Sequence, residues 1–145
     1  MKNAVPQLLP WGSKLQIQSV GLRYEILRKP LGLFYSSAEL QEEQSQQHFG
    51  MVQGERVVAV LLLKTGHESV VKMRQVAVAD NLQGKGIGKT LVRYAEAICR
   101  EKLISKIELH ARLTAVPFYL SLGYEKEGSV FEEVGIPHVK MVVHL

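Results

Sequence analysis

The chain has 145 residues, 46% hydrophobic and 22% charged, the profile of a globular protein long enough to bury a core, and residues 1–145 read as one domain. Its net charge of +4 is scattered, with no run of five basic residues, which argues against nucleic acid and suits a small polyanion drawn in by long-range attraction. Cys99 stands alone and fits a reducing cytoplasm, the scattered histidines have no metal-ligand spacing, and the longest apolar run, residues 57–63, is too short for a membrane span.

Residues 5–9 predict a short edge strand, because Pro6 is tolerated only at an edge. Pro6 and Pro10 also interrupt the few apolar residues there, so no secretory leader is expected. Ser13 and Gln16 have capping-box spacing, and Leu15, Ser19, Leu22 and Ile26 follow at helical steps, which predicts a helix with one buried stripe ending before Pro30. Phe34 and Tyr35 either line a pocket or pack this helix, and residues 38–47 are polar and read as a short helix or a mobile loop. Residues 49–53 and 56–63 flank Gly54-Glu55 as a hairpin.

A third strand is predicted over residues 69–79. Its apolar positions change parity between Arg74 and Gln75, which is what a β-bulge produces; burial of both faces would explain the same pattern. Next comes Gln83-Gly84-Lys85-Gly86-Ile87-Gly88-Lys89-Thr90, between this strand and a helix over residues 86–102 whose stripe is Ile87, Leu91, Ala95 and Ile98. Glycines let a backbone approach a ligand closely, and amides at a helix start suit a phosphate. A P-loop would need glycine at Gln83, and the dinucleotide fingerprint would need a third glycine at Lys89 or Leu91, so this phosphate loop is of another kind.

Residues 106–110 predict a strand, Ala115, Phe118 and Leu122 a short helix stopped at Gly123, and residues 124–130 and 138–145 two last strands. The order is helix, an antiparallel run of strands, then alternating helix and strand, which makes a mixed α/β sheet.

The strand, Gln83, Gly86, Gly88 and the helix that follows resemble the acetyl-CoA-binding motif of the GNAT superfamily of N-acetyltransferases, Gln/Arg-x-x-Gly-x-Gly/Ala. Ala115, Phe118-Tyr119 and Gly123-Tyr124 are similar to a later motif of that superfamily, with Arg112 where asparagine is common. The ending over residues 131–138 looks like small bacterial members. The resemblance implies a mostly antiparallel sheet of about six to seven strands flanked by about four helices, and a cytoplasmic enzyme moving an acetyl group from acetyl-CoA to the amine of a small molecule or peptide, without a metal and without nucleic-acid or membrane partners. A homodimer is common for domains of this size.

Coenzyme A carries a pyrophosphate on which backbone amides of Gln83, Gly84, Lys85, Gly86, Ile87 and Gly88 can converge, with Lys85 and Lys89 adding charge at the rim. By resemblance, the pantetheine arm runs beside Val76, Ala77 and Val78, and the bulge splays this strand from residues 106–110, freeing donors for the thioester carbonyl. Alone, Tyr119 beside Phe118 would be a packing residue; the Phe-Tyr register of the resemblance makes it the general acid. A thiol of pKa ~8.5 leaves as thiolate, and a phenol near ~10 stays protonated to donate to it. Glu68, Glu108, His110, Glu132, Glu133 and His138 are all candidates for the base, which stays unassigned. Arg112 is a surface cation, a cofactor contact or a contact to an acidic acceptor. Cys99 reads as a small core residue. Two rival readings are a non-catalytic acyl-CoA-binding or regulatory module and a nucleotide-triphosphate enzyme using Gly88-Lys89-Thr90.

Overall fold

The computed structural model describes residues 3–145. Seven strands form one sheet: β1 (Val5–Leu8), β2 (Gln47–Gln53), β3 (Arg56–Thr65), β4 (Val70–Val78), β5 (Lys106–Arg112), β6 (Glu125–Glu133) and β7 (Ile136–His144). The order across the sheet is β1-β2-β3-β4-β5-β7-β6, antiparallel throughout except between β4 and β5. The helices are α1 (Lys14–Arg23), α2 (Ser37–Glu42), α3 (Ile87–Glu101) and α4 (Val116–Ser121). This is the mixed, mostly antiparallel architecture expected from the sequence.

Pro6 does lie on an edge strand, paired only through β2. The turn at Gly54-Glu55 joins β2 to β3, with Gly54 at φ +66°, and the strands pair from Gln53↔Arg56 outward. Ser13 caps α1 by accepting from the Gln16 amide, but the Gln16 side chain accepts from Gly12, so the box is only half formed there. A complete capping box occurs instead at Ser36 and Glu39, where the polar segment becomes α2. The helix begun at Ser13 does run to the proline, but its end is irregular: α1 widens into a π turn over Tyr24–Arg28 and tightens into a 3₁₀ turn over Lys29–Leu31.

Two apolar layers cover the sheet. On one face Leu91, Val92, Ala95 and Cys99 of α3 and Val116, Tyr119 and Leu122 of α4 pack against Met73, Ile107, Leu109 and Met141. On the other, Leu15, Leu22, Ile26 and Leu27 cover Val57, Val60, Leu62 and Ala77. Val71 and Met73 belong to the first layer and Ala77 to the second, while Val76 and Val78 pack against the first. The face-to-parity relation therefore inverts within β4, and the reason is a bulge. Leu62 pairs with Arg74 and Val60 with Ala77, leaving two β4 residues opposite Leu61. Gln75, one of the two, has φ +56°.

Candidate active site

β4 and β5 pair only at Val70↔Lys106, Val71↔Ile107 and Lys72↔Glu108. Beyond Glu108 the partner of β5 is β7 alone, which follows it as far as Arg112↔His138. The bulge turns β4 away, and a wedge opens between Arg74–Val76 on one side and His110–Arg112 on the other. The resulting cleft holds about 550 Å³ and passes between the two faces of the sheet: Tyr119 lines it from the α4 side, and Leu27 and Arg28 from the α1 side.

One bank of this cleft is backbone. Ala79 donates its amide to Val58 on β3 at 2.9 Å, so by the alternation of an extended strand the amides of Val78 and Val76 face the unpaired edge. The Ala77 side chain is buried on the α1 face and, by the same alternation, its backbone groups face Val60 on β3, so this residue only spaces Val76 and Val78 along the edge. Past β4 the chain makes a 3₁₀ turn over Asp80–Leu82 and enters the glycine loop. Gln83 donates its side-chain amide to Val78 O at 3.0 Å and Asp80 Oδ1 at 3.3 Å, tying the loop to the strand end. Gly86 caps α3 with φ +82°, and the first paired amide is that of Thr90, which donates to Gly86 O. The amides from Gly84 to Lys89 have no backbone acceptor, and Lys85 and Lys89 are exposed without an ion pair among the described residues. Six amides at the start of a fifteen-residue helix fit a pyrophosphate. A Cβ on Gly88 would come within 3.2 Å of Val78 Cγ2 and 3.4 Å of Phe118 Cζ, so glycine is what lets the helix start lie against β4 and α4.

Tyr119 is buried, its ring edge-on to Phe118 and Tyr124, and its hydroxyl has no hydrogen-bond partner among the described residues. Tyr124 offers a contrast, because its hydroxyl donates to Glu96 Oε2 at 2.8 Å and is sealed in the core. Burial raises the Tyr119 phenol well above its ordinary value, so it stays protonated at neutral pH.

The other bank is made of side chains. Of the six candidate bases, His110, Glu133 and His138 line the cleft together. The Glu133 carboxylate accepts from His110 Nδ1 at 2.9 Å, and its other oxygen lies 3.7 Å from His138 Nε2. Burial alone would raise the Glu133 carboxyl, but the His110 hydrogen bond and the charges of His110, His138 and Lys72 outweigh it and hold the group below its ordinary value. With Nδ1 engaged, His110 Nε2 has no partner among the described residues. The remaining candidates lie elsewhere: Glu108 pairs with Lys106 and Lys140, Glu68 sits in the β3–β4 turn, and Glu132 is exposed on β6 outside the cleft. The sequence carried little sign that Glu133 and His138 would meet. They are brought together by a hairpin turning at Val134-Gly135, where a β-branched residue adopts φ +46° against its preference.

A polar network behind this bank was not visible in the sequence. Arg23, fully buried, makes a bidentate pair with Glu43 at 2.8 and 2.7 Å. Its Nε also donates to Gln75 Oε1 at 3.3 Å, where the Tyr35 hydroxyl donates too. The Tyr35 ring lies between the guanidinium groups of Arg23 and Arg28, at 4.7 and 4.3 Å. Tyr35 therefore helps hold the bulge, whereas Phe34 is mostly exposed and stacks on Tyr24.

This arrangement has counterparts. A sequence model of the acetyltransferase (GNAT) domain matches residues 29–145. The uncharacterized protein YyaT of Bacillus subtilis is 29% identical over 128 residues, covering 81% of this chain and 86% of that one. Among solved structures, a putative N-acetyltransferase from Lactobacillus plantarum superposes with TM-score 0.86 at 20% identity, covering 99% of each chain. A Bacillus subtilis acetyltransferase in complex with CoA has TM-score 0.75 at 19% identity, covering 98% of this chain and 99% of that one. At such identities the structural likeness establishes the fold. The sequence model spans the splayed strands, the glycine loop and Tyr119 alike, and by that match the chain belongs to the GNAT acetyltransferase family.

Proposed function

We propose that this protein is an acetyl-CoA-dependent N-acetyltransferase in which an amine attacks the thioester directly. The observation that carries the reading is the wedge between β4 and β5, a cleft lined by the strand edge at Val76, by Gln83 at the entry to the glycine loop and by Tyr119. Bound acetyl-CoA supplies an activated acetyl group as a thioester.

Gly84, Lys85, Gly86, Ile87, Gly88 and Lys89 bind the pyrophosphate through backbone amides and, at the two lysines, through charge. Val76 and Val78 hold the pantetheine arm through their backbone at the strand edge, and Ala77 sets the spacing between them. An amide at this edge stabilises negative charge developing on the thioester oxygen, and such a donor contributes roughly 3 kcal/mol. His110 takes the proton of the attacking amine at Nε2, and Glu133 orients the ring and stabilises its charged form. Tyr119 returns a proton to the leaving thiolate. Burial keeps the phenol protonated and therefore available as the donor. The whole chain acts as one domain of a cytoplasmic enzyme.

Release of free thiol from acetyl-CoA, followed against a panel of small amines and peptide N-termini, tests the reading. Amine-dependent release supports it. Tight acetyl-CoA binding without release to any amine would favour the non-catalytic module instead.

A further inference from the structure

The acceptor bank carries more positive charge than its neighbours neutralise. Arg28, Lys72, Arg74 and Arg112 line the cleft, and Glu133 is the single carboxylate among its lining residues. Arg74 lies 3.8 Å from Glu43, and Arg28 lies 3.2 Å from the exposed Glu39 outside the cleft. Arg112 and Lys72 have no ion pair among the described residues. Both are partly buried, and burial lowers the pKa of each. Arg112 spends one N–H on Leu27 O at 2.7 Å and lies close enough to Arg28 for the two charges to repel. Two cations do not converge in a partly desolvated cleft at no cost, and an anion bound between them would offset it.

These groups belong to the acceptor side. Leu27, which Arg112 touches, covers the α1 face, while the glycine loop leads into α3 on the opposite face. A pyrophosphate held at the start of α3 therefore leaves the charge of Arg112 unmatched and that of Arg28 matched only by the exposed Glu39. On the same bank Glu133, flanked by His110 and His138, is suited to an ammonium.

Resting on the transferase reading above, we propose that the acceptor is an amine that also carries an anionic group, carboxylate or phosphate, with its ammonium end at Glu133 and His110 and its anion at Arg112 and Arg28. Fork-shaped, charge-assisted contacts of this kind discriminate strongly against analogues that lack the anion.

The test is thiol release with acceptors matched in size: β-alanine and 2-aminoethyl phosphate as the two anionic arms, ethanolamine as the neutral one, and 1,4-diaminobutane as the cationic one. At least one anionic amine is expected to exceed ethanolamine in kcat/KM by about tenfold or more, and the better arm identifies the anion. Arg112→Gln should cut that ratio by about tenfold, with a smaller fall for Arg112→Lys, which keeps the charge but not the fork. A ratio near one, or preference for diaminobutane, overturns the proposal while leaving the transferase reading intact. If no amine is turned over, the transferase reading has failed. Calorimetric titration of the same amines into protein loaded with acetyl-CoA then decides the anion site: tighter binding of an anionic amine that weakens in Arg112→Gln upholds it, and equal binding across the panel overturns it.

Discussion

The two banks of the cleft are made of different material. On the proposed cofactor side the free groups are amides of β4 and of the glycine loop, and Gln83 holds the backbone in place through Val78 O. On the proposed acceptor side the lining groups are side chains from distant parts of the chain: Arg28 before α2, Lys72 on β4, His110 and Arg112 on β5, and Glu133 on β6. A backbone site survives most substitutions that keep its dihedral angles, whereas a side-chain site changes with every replacement. One fold can therefore keep its donor while its acceptor specificity shifts.

If that contrast is right, the largest loss of stability should come from the support of the side-chain bank. Glu43→Ala leaves the fully buried Arg23 without a counter-ion and should cost about 3–5 kcal/mol in denaturant unfolding; Arg23→Met added to it should restore part of that. A loss below about 1 kcal/mol would mean that water reaches the arginine. Tyr119→Phe should lower turnover by about a hundredfold while the acetyl-CoA Kd, from equilibrium titration, stays within about twofold. Unchanged turnover with a reactive amine would remove Tyr119 from the mechanism.

Smaller effects test the backbone bank. Gly88→Val forces a side chain against Val78 and Phe118 and should cost about 1–3 kcal/mol, with weaker acetyl-CoA binding in calorimetry. At the bulge, Gln75→Ala and Gln75→Gly both lose the contacts to Arg23 and Tyr35, but only glycine relieves the positive φ. The glycine variant should be the more stable by about 1 kcal/mol, and the reverse order would mean that the bulge relaxes once the glutamine is gone.

The mildest effect is on pH. His48 is buried, donates from Nε2 to Glu43 O and has no partner for Nδ1 among the described residues; burial holds its pKa below the ordinary value. Its contribution is complete above the ordinary histidine pKa of about 6.5 and is lost as pH falls through the lower folded value, because the unfolded chain takes up the proton first. Thermal midpoints should decline through that window, and His48→Asn should flatten the decline. Glu133, also held low, adds a loss of the same sign in the more acidic range below about 4.3.

Much of the backbone bank was legible in the sequence because its signals are local. Glycine spacing, a strand before it and a helical stripe after it lie within a few turns of chain, and the parity change at Arg74 and Gln75 marks a bulge that the register now displays. The acceptor bank was legible only as a set of candidates. His110 and Glu133 are 23 residues apart, Arg23 and Gln75 are 52 apart, and Arg112 and Leu27 are 85 apart. Which of these meet depends on strand register and on the splay.

The sequence by itself thus determined the element order, the glycine loop between β4 and α3 and the helix that carries Tyr119, since dihedral preference and periodicity act over short stretches of chain. The tertiary structure alone decided which carboxylate faces which histidine and that Arg112 has no ion pair among the described residues. Those outcomes follow from long-range packing: the bulge displaces β4, the β6–β7 hairpin carries Glu133 over the gap, and the end of the first helix supplies the carbonyl that holds Arg112.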